Sequence, residues 1–176
     1  DWESIGYSLP LMTKNDFNVI KSGNMDNSQT CLAIGPGTGL GFSVLRYVGN
    51  VPYVYPTELG NARSYNDHLS NLFEISNSKN FIVLEDYLSG TGIKKIYAEK
   101  SGKNLTTEEI VSLYSEDDLA TFILNNFVVA LNNILQDLAL TFNARGGIFF
   151  AGSLMRTISE MNSINYIKKE FNKHSS

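Results

Sequence analysis

The sequence is poor in the residues that build crosslinks and metal sites. It has one cysteine, Cys31, and two histidines, His68 and His174, among 176 residues. A single cysteine cannot form a disulfide within the chain, which fits a cytosolic setting. These three soft ligands are fewer than the four that a structural zinc site uses, so structural zinc is not expected.

Positive charge and long apolar runs are also scarce. Lys and Arg number 14 against 18 Asp and Glu, and the net charge is −4. Because phosphate backbones select basic surfaces, no nucleic-acid partner is expected. No apolar run of the length of a membrane span and no basic-then-apolar leader stands out, so no membrane partner is expected either. With 43% hydrophobic residues, the chain is long enough for one domain with a core.

Hydrophobic periodicity predicts strands first, then a run of helices, then one more strand. A helix over 2–12 and a polar connection over 13–28 precede them. Strands are expected over 30–34, 41–48, 53–58 and 148–152. Helices are expected over 65–76, 80–88, 90–102, 106–114, 116–143 and 164–173, and from Ser153 onward. Thr106 and Glu109 form a capping box, and Gly146 is expected to cap the long helix. This order indicates an α/β fold, a mixed sheet with helices packed on its faces.

The most distinctive stretch is CLAIGPGTGLGFSVLRYVG, residues 31–49, in which glycine occupies four alternate positions: Gly35, Gly37, Gly39 and Gly41. A P-loop is excluded because no Gly-Lys-Ser/Thr follows. The dinucleotide fingerprint fails because Leu40 or Phe42 stands where its third glycine belongs. Two interpretations of a β-turn-β hairpin remain, a phosphate-binding nest aided by Thr38 or a plain hairpin whose glycines only satisfy turn geometry. Four glycines around a threonine favour phosphate.

Five ordered segments resemble motifs of bacterial glucokinases, in the sugar-kinase/hexokinase/actin superfamily. GPGTGLG (35–41) resembles their Gly-x-Gly-Thr-Gly-Leu-Gly phosphate turn, and DWESIGYSLPLM (1–12) resembles the segment that begins with the catalytic Asn-Asp. Their sugar-binding loop, Glu-x-x-Leu-Ser-Gly-x-Gly motif and adenosine motif resemble YPTELGN (55–61), LEDYLSGTG (84–92) and ARGGIFFAGSL (144–154). The resemblance covers nearly the whole chain and implies the large lobe of an actin-like ATPase (ribonuclease H-like) fold.

The resemblance implies a sugar kinase in which a carboxylate takes the proton of the attacking hydroxyl. It assigns this catalytic role to Asp1, which on sequence alone is better explained as a helix N-cap. Glu58 and Glu85 match the family's sugar-binding glutamates, since a carboxylate can accept hydrogen bonds from vicinal hydroxyls. Asn61 is expected to bind sugar as well. The family has His at that position, so the identity of the sugar stays open.

The same resemblance implies ATP as the phosphoryl donor. Six residues are expected to contact it: Gly35, Gly37, Thr38, Gly39, Gly152 and Ser153. Mg²⁺ is expected to be held mainly by the nucleotide, and no protein ligand to a metal is assigned. The implied function is phosphorylation of the 6-hydroxyl of glucose, or of a similar hexose, as the first step of glycolysis in the cytoplasm. Family members are often dimers, so a homodimer is expected.

Residues 1–12 are expected to be the tail of the small lobe, and 13–176 the large lobe, of a two-lobed protein. The family's first phosphate motif, Asp-x-Gly-Gly-Thr, is missing from the sequence. We therefore expect the chain alone to be inactive on sugar. The alternatives are a nonenzymatic actin-like module that binds nucleotide or a regulatory partner, a kinase for a different hexose, or an isolated domain without activity.

Overall fold

The computed structural model describes residues 2–24, 26, 28–160 and 169. Asp1 lies outside the described residues, and so does the helix expected over 164–173 apart from Lys169. The described part contains a four-stranded mixed sheet and six α-helices joined by short 3₁₀ turns.

The sheet is built around the glycine-rich hairpin. Its strands are β1 (Cys31–Pro36), β2 (Leu40–Val48), β3 (Val51–Pro56) and β4 (Gly147–Phe150), in the order β3-β2-β1-β4. The first three form an antiparallel meander, whereas β4 lies parallel to β1. Parallel pairing requires a long crossover connection, and the helices between β3 and β4 supply it. The carboxyl ends of β1 and β4 therefore lie at the same edge of the sheet as the hairpin loop.

Helices cover both faces of this sheet. They are α1 (Trp2–Ser8), α2 (Asn66–Leu72), α3 (Gly90–Ser101), α4 (Thr107–Ser112), α5 (Asp118–Phe142) and α6 (Ser153–Glu160). Helix α1 packs on one face over a small cluster formed by Leu9, Cys31, Ala33, Leu45 and Val54. The larger core lies on the other face, where Leu32, Ile34 and Val44 meet residues of α3 to α6. Alternate residues of β1 thus belong to different clusters, as the two-residue period of a strand requires.

The long helix α5 matches the predicted apolar stripe but ends differently from the prediction. Asp117 caps its start by accepting a hydrogen bond from the Ala120 N–H at 2.7 Å. Its C-cap is Asn143, in the left-handed conformation at φ 48°. The prediction of Gly146 as the cap is wrong, because Gly146 lies further along the chain against Cys31. A Cβ added to Gly146 would lie 2.6 Å from the Cys31 Sγ, so close packing explains this glycine.

By length and composition alone, α5 is the one described helix that could cross a membrane, so the expectation that no run approaches that length is wrong for it. Of its most apolar window, 56% is buried within the domain. Core helices of globular proteins pass the same test, and the position of α5 in the larger core accounts for its composition.

Residues 80–88 form no helix, contrary to the prediction. Two 3₁₀ turns, Ser78–Asn80 and Leu84–Asp86, flank an extended segment there. The Asp86 carboxylate accepts hydrogen bonds from the N–H groups of Ile82 at 2.7 Å and Val83 at 3.0 Å. An Asp side chain that bonds nearby backbone donors offers the chain an alternative to the helical ladder.

The capping box predicted for Thr106 and Glu109 is confirmed at the start of α4.

Candidate functional site

A cleft of about 500 Å³ opens beside the hairpin loop. It is bordered by the ends of β1, β2 and β3, by α1, and by the turn that carries Glu85. Three carboxylate residues, Glu3, Glu58 and Glu85, line it, and none of the described lining residues is Lys or Arg. An anionic ligand in this cleft would therefore need its charge neutralised by backbone donors or by a bound cation.

The hairpin loop Gly37–Thr38–Gly39 is held from one side by helix α3. The Gly90 N–H donates to the Gly37 carbonyl at 2.6 Å, and the Thr91 hydroxyl donates to the Thr38 carbonyl at 2.6 Å. Within the loop, the Gly37 N–H donates to the Gly39 carbonyl at 2.8 Å. In the described part of the chain, no hydrogen bond engages the N–H of Thr38 or Gly39, or the Thr38 hydroxyl. These three groups are donors available to an external acceptor.

Three of the four alternate glycines serve close packing, and left-handed backbone explains none of the four. None of the four is among the glycines with positive φ. Gly35 and Gly41 face each other across β1 and β2, and the Trp2 indole lies against both. A Cβ on Gly41 would lie 1.4 Å from the Trp2 Nε1, and one on Gly35 would lie 2.1 Å from the Trp2 Cη2. Left-handed turn geometry therefore does not explain these glycines.

The loop glycines have different surroundings. A Cβ on Gly39 would lie 2.7 Å from the Glu85 Oε2, whereas one on Gly37 would meet nothing within 4 Å. Glycine at position 39 thus leaves room for the Glu85 carboxylate. Gly37 is exposed, and no neighbouring atom requires glycine there.

Glu85 reaches the hairpin from the 3₁₀ turn Leu84–Asp86. Its Oε2 accepts a hydrogen bond from the Leu40 N–H at 3.3 Å and lies close to both Gly39 and Gly60. The Ser89 hydroxyl donates to the Glu85 carbonyl at 2.6 Å and so fixes the backbone of the turn. This half-buried carboxylate thus connects the hairpin with the loop that follows β3.

Glu58 and Asn61 lie on that loop, at the end of β3. Glu58 is exposed and accepts a hydrogen bond from the Asn61 Nδ2 at 3.3 Å. The neighbouring Thr57 hydroxyl donates to the Phe42 carbonyl at 2.9 Å, which ties the start of the loop to β2. Glu58 lines the cleft, whereas Asn61 is not among the lining residues and meets the site only through its hydrogen bond to Glu58.

Gly152 and Ser153 follow β4 on the other side of the hairpin. Gly152 has φ 102°, a backbone conformation that favours glycine, and it borders the cleft. The preceding Ala151 N–H donates to the Ile34 carbonyl at 3.0 Å, so this turn is bound to β1. Ser153 is exposed at the first position of α6.

The predicted site residues mostly converge on this cleft. Its lining includes Gly35, Gly37, Thr38, Gly39, Glu58, Glu85 and Gly152. Sequence reasoning assigned no role to Trp2, Glu3 or Thr57, which also line the cleft. The signal for Trp2 was its position beside Asp1 as the only tryptophan of the chain. The ligand roles assigned to the predicted site residues stay predictions.

One carboxyl beside the site has a shifted pKa. Burial opposes ionisation of Asp86, but the hydrogen bonds from the Lys95 Nζ and from the Val83 and Ile82 N–H groups outweigh it and hold the pKa below its ordinary value. The Lys95 Nζ lies 2.6 Å from the Asp86 Oδ1, and it also lies over the Phe81 ring. The charged Asp86 stabilises the turn that carries Glu85.

The family model for glucokinase matches residues 1–175 of this sequence. The chain belongs to the glucokinase family. Glucokinase of Saccharophagus degradans is 25% identical over 96% of this chain and 56% of its own length. The chain therefore spans about half the length of the curated relatives it matches.

Solved structures agree with this assignment. The crystal structure of a glucokinase from an Antarctic psychrotroph has a TM-score of 0.77 and 26% identity, over 96% of this chain and 60% of that one. Glucokinase from Balamuthia mandrillaris, determined in complex with glucose, has a TM-score of 0.64 and 20% identity, over 84% of this chain and 46% of that one. At this lower identity the likeness shows the fold alone. The expected actin-like α/β architecture is confirmed.

Proposed function

We propose that the full-length protein containing this chain is a glucokinase that transfers the γ-phosphoryl group of ATP to the 6-hydroxyl of glucose. One observation carries the proposal. The hairpin loop with three available donors and the two carboxylates Glu58 and Glu85 border a single cleft. Phosphoryl transfer needs mainly positioning of two substrates and charge stabilisation, and this cleft offers groups suited to each substrate.

Glu58 and Glu85 are the proposed sugar ligands. Each carboxylate has two oxygens that can accept hydrogen bonds from vicinal hydroxyls. Membership in the family and the glucose complex of the Balamuthia mandrillaris protein support a hexose as the acceptor. Asp1 is the proposed general base. Its role rests on the family resemblance, because it lies outside the described residues.

The loop Gly37–Thr38–Gly39 is the proposed phosphate site, and Gly35, Gly152 and Ser153 are proposed to border the nucleotide. Three acidic side chains line the cleft, and its described lining residues include no Lys or Arg. A polyphosphate is therefore expected to enter with its charge reduced by Mg²⁺, which prefers phosphate and water oxygens to an all-protein cage. When bound, Mg²⁺ would neutralise charge on the transferring group.

The test is a coupled assay of the full-length protein with ATP, Mg²⁺ and glucose. We expect turnover in the wild type. Glu85→Gln and Glu58→Gln should each raise the KM for glucose by about tenfold or more, since hydrogen bonds to charged groups contribute about 1.5–3 kcal/mol. The matched control is Glu99→Gln, an exposed carboxylate of α3 away from the cleft. Equal KM values for all three variants, or a wild type without turnover, would refute the proposal.

A kinase for a different hexose is a second candidate, favoured by Asn61. Its Nδ2 donates to Glu58, so it decides how this carboxylate is presented to a sugar. Asn61→His should change the ratio of kcat/KM between glucose and mannose if position 61 sets the preference. An unchanged ratio would remove Asn61 as a determinant. ATP binding without transfer to any hexose would instead indicate a nonenzymatic actin-like module.

We also propose a homodimer that works in the cytoplasm, because relatives of this family are typically soluble and often dimeric. Light scattering of the full-length protein at micromolar concentration tests the assembly. A mass equal to one chain would refute the dimer.

A further inference from the structure

Trp2 lines the cleft and packs over the two strands of the hairpin. Its indole lies against the glycine pair, Gly35 and Gly41, which face each other across β1 and β2. The three atoms nearest to a Cβ built on Gly41 are the Nε1, Cε2 and Cδ1 of Trp2, at 1.4, 1.7 and 2.2 Å. At position 41, the space that a side chain would need is occupied by this ring.

A second contact holds the same helix on the sheet. A Cβ on Gly6 would lie 2.7 Å from the Val54 Cγ1, so the buried glycine of α1 lets the helix backbone approach β3 closely. Helix α1 is therefore fixed at two points, by Trp2 on the hairpin strands and by Gly6 on the edge strand. A helix held in this way cannot slide along the sheet without breaking one of the contacts.

Trp2 directly follows Asp1, the proposed base. The anchored indole therefore fixes the start of the helix that follows this residue in the sequence. The strands under the ring are the same two that carry the phosphate-facing loop. One rigid contact thus connects the start of α1 with the groups proposed to bind ATP.

We propose that Trp2 is a positioning residue, whose contact with the glycine pair fixes the start of α1, the helix that follows the proposed base in the sequence, relative to the phosphate-binding hairpin. This inference rests on the proposed function. It divides the four alternate glycines into two pairs. Gly35 and Gly41 make room for the ring, whereas Gly37 and Gly39 belong to the loop that faces the nucleotide.

The main test compares Trp2→Ala and Trp2→Phe in the full-length protein. Small misplacements of a reacting group cost on the order of 10–100-fold in rate, so Trp2→Ala should lower kcat by that amount. The KM values for ATP and glucose should stay within about threefold of the wild type, because the proposed ligands remain. Trp2→Phe keeps a ring and should recover most of the loss. Gly23→Ala, at a position with nothing within 4 Å, is the control for handling and folding.

A double-mutant cycle with Gly41→Ala tests the ring contact itself. In the wild-type background the new methyl group displaces the indole, so kcat should fall. The part of the tryptophan emission that is lost in the Trp2→Ala variant should shift as the ring moves into water. In the Trp2→Ala background the clash partner is absent, so Gly41→Ala should cost little more. The fluorescence readout is independent of turnover.

Several results would overturn the inference. One is a Trp2→Ala kcat within about twofold of the wild type. Another is an equal cost of Gly41→Ala in both backgrounds, which would mean that the strand and not the ring needs glycine. If Gly41→Ala does not fold, the two Trp2 variants still decide the matter. A wild type without turnover on any hexose would instead overturn the proposed function.

Discussion

At the residue scale, the glycines of the hairpin differ in what each one avoids. Gly39 leaves room for the Glu85 carboxylate, Gly41 for the Trp2 indole, and Gly37 borders open space. The same residue type at alternate positions thus meets two different steric demands, at Gly39 and Gly41, and none at Gly37. A substitution to alanine should therefore give a different defect at each position.

The first prediction compares Gly39→Ala with Gly37→Ala. A methyl group at position 39 would lie 2.7 Å from the Glu85 Oε2 and push this proposed sugar ligand aside. In the full-length protein we expect the KM for glucose to rise on the order of tenfold for Gly39→Ala, and clearly less for Gly37→Ala. Steady-state kinetics at saturating ATP measure this. Equal effects on the KM for glucose would show that Glu85 does not depend on the space at Gly39.

At the element scale, caps and turns decide how the site is presented. The 3₁₀ turn that carries Glu85 is held by the Asp86 carboxylate, which accepts from two backbone N–H groups and from Lys95. Helix α3 in turn binds two carbonyls of the hairpin loop. The contacts that hold the hairpin loop and the Glu85 turn in place therefore come from a 3₁₀ turn and from the first residues of α3.

The second prediction concerns the pH dependence of stability. The pKa of Asp86 is held below its ordinary value of 3.8 in the folded chain. A lowered folded pKa gives a contribution that is fully present above the unfolded value and is lost as the pH falls through the folded value. Asp86→Asn should therefore lower the free energy of unfolding most at pH 6, and the difference from the wild type should shrink below about pH 4.

Urea unfolding of the wild type and the variant across this pH range measures the effect. Glu99→Gln serves as the control, since no hydrogen bond or ion pair joins the Glu99 side chain to another residue in the described part of the chain. A difference for Asp86→Asn that stays constant from pH 6 to pH 3 would contradict the prediction.

The third prediction concerns the end of α5. Asn143 caps this helix at φ 48°, where a side chain branched at Cβ is strained. Asn143→Val should lower the free energy of unfolding by about 1–2 kcal/mol, whereas Asn143→Gly should be close to neutral. Thermal or urea denaturation of both variants measures the change in the free energy of unfolding. Equal stability of the Val and Gly variants would show that the left-handed cap does not contribute.

At the scale of the whole molecule, several parts of the fold meet at one cleft. The hairpin, the loop after β3 and the Glu85 turn meet on one edge of the sheet, and the cleft between them is open. Enzymes that transfer phosphoryl groups enclose the reacting groups and exclude water.

The fourth prediction follows from this openness. The 176-residue chain expressed alone should not phosphorylate glucose, whereas the full-length protein should. A coupled assay with ATP, Mg²⁺ and glucose on both polypeptides measures this, with circular dichroism as the control for folding of the shorter one. Comparable turnover per molecule in the two samples would contradict the prediction.

The sequence by itself determined the family, the order of most strands and helices, and half of the residues that line the cleft. The order of the elements follows from local patterns, namely hydrophobic period and capping residues such as Thr106 and Glu109. The family and the cleft residues follow from the resemblance of the ordered motifs to those of bacterial glucokinases. The tertiary structure decided what local patterns do not encode. The Asp86 carboxylate accepts hydrogen bonds from neighbouring backbone N–H groups, and two short 3₁₀ turns stand where a helix was expected over 80–88. The role of Gly41 also needed the tertiary structure, because the ring that occupies its space comes from Trp2, far away in the sequence.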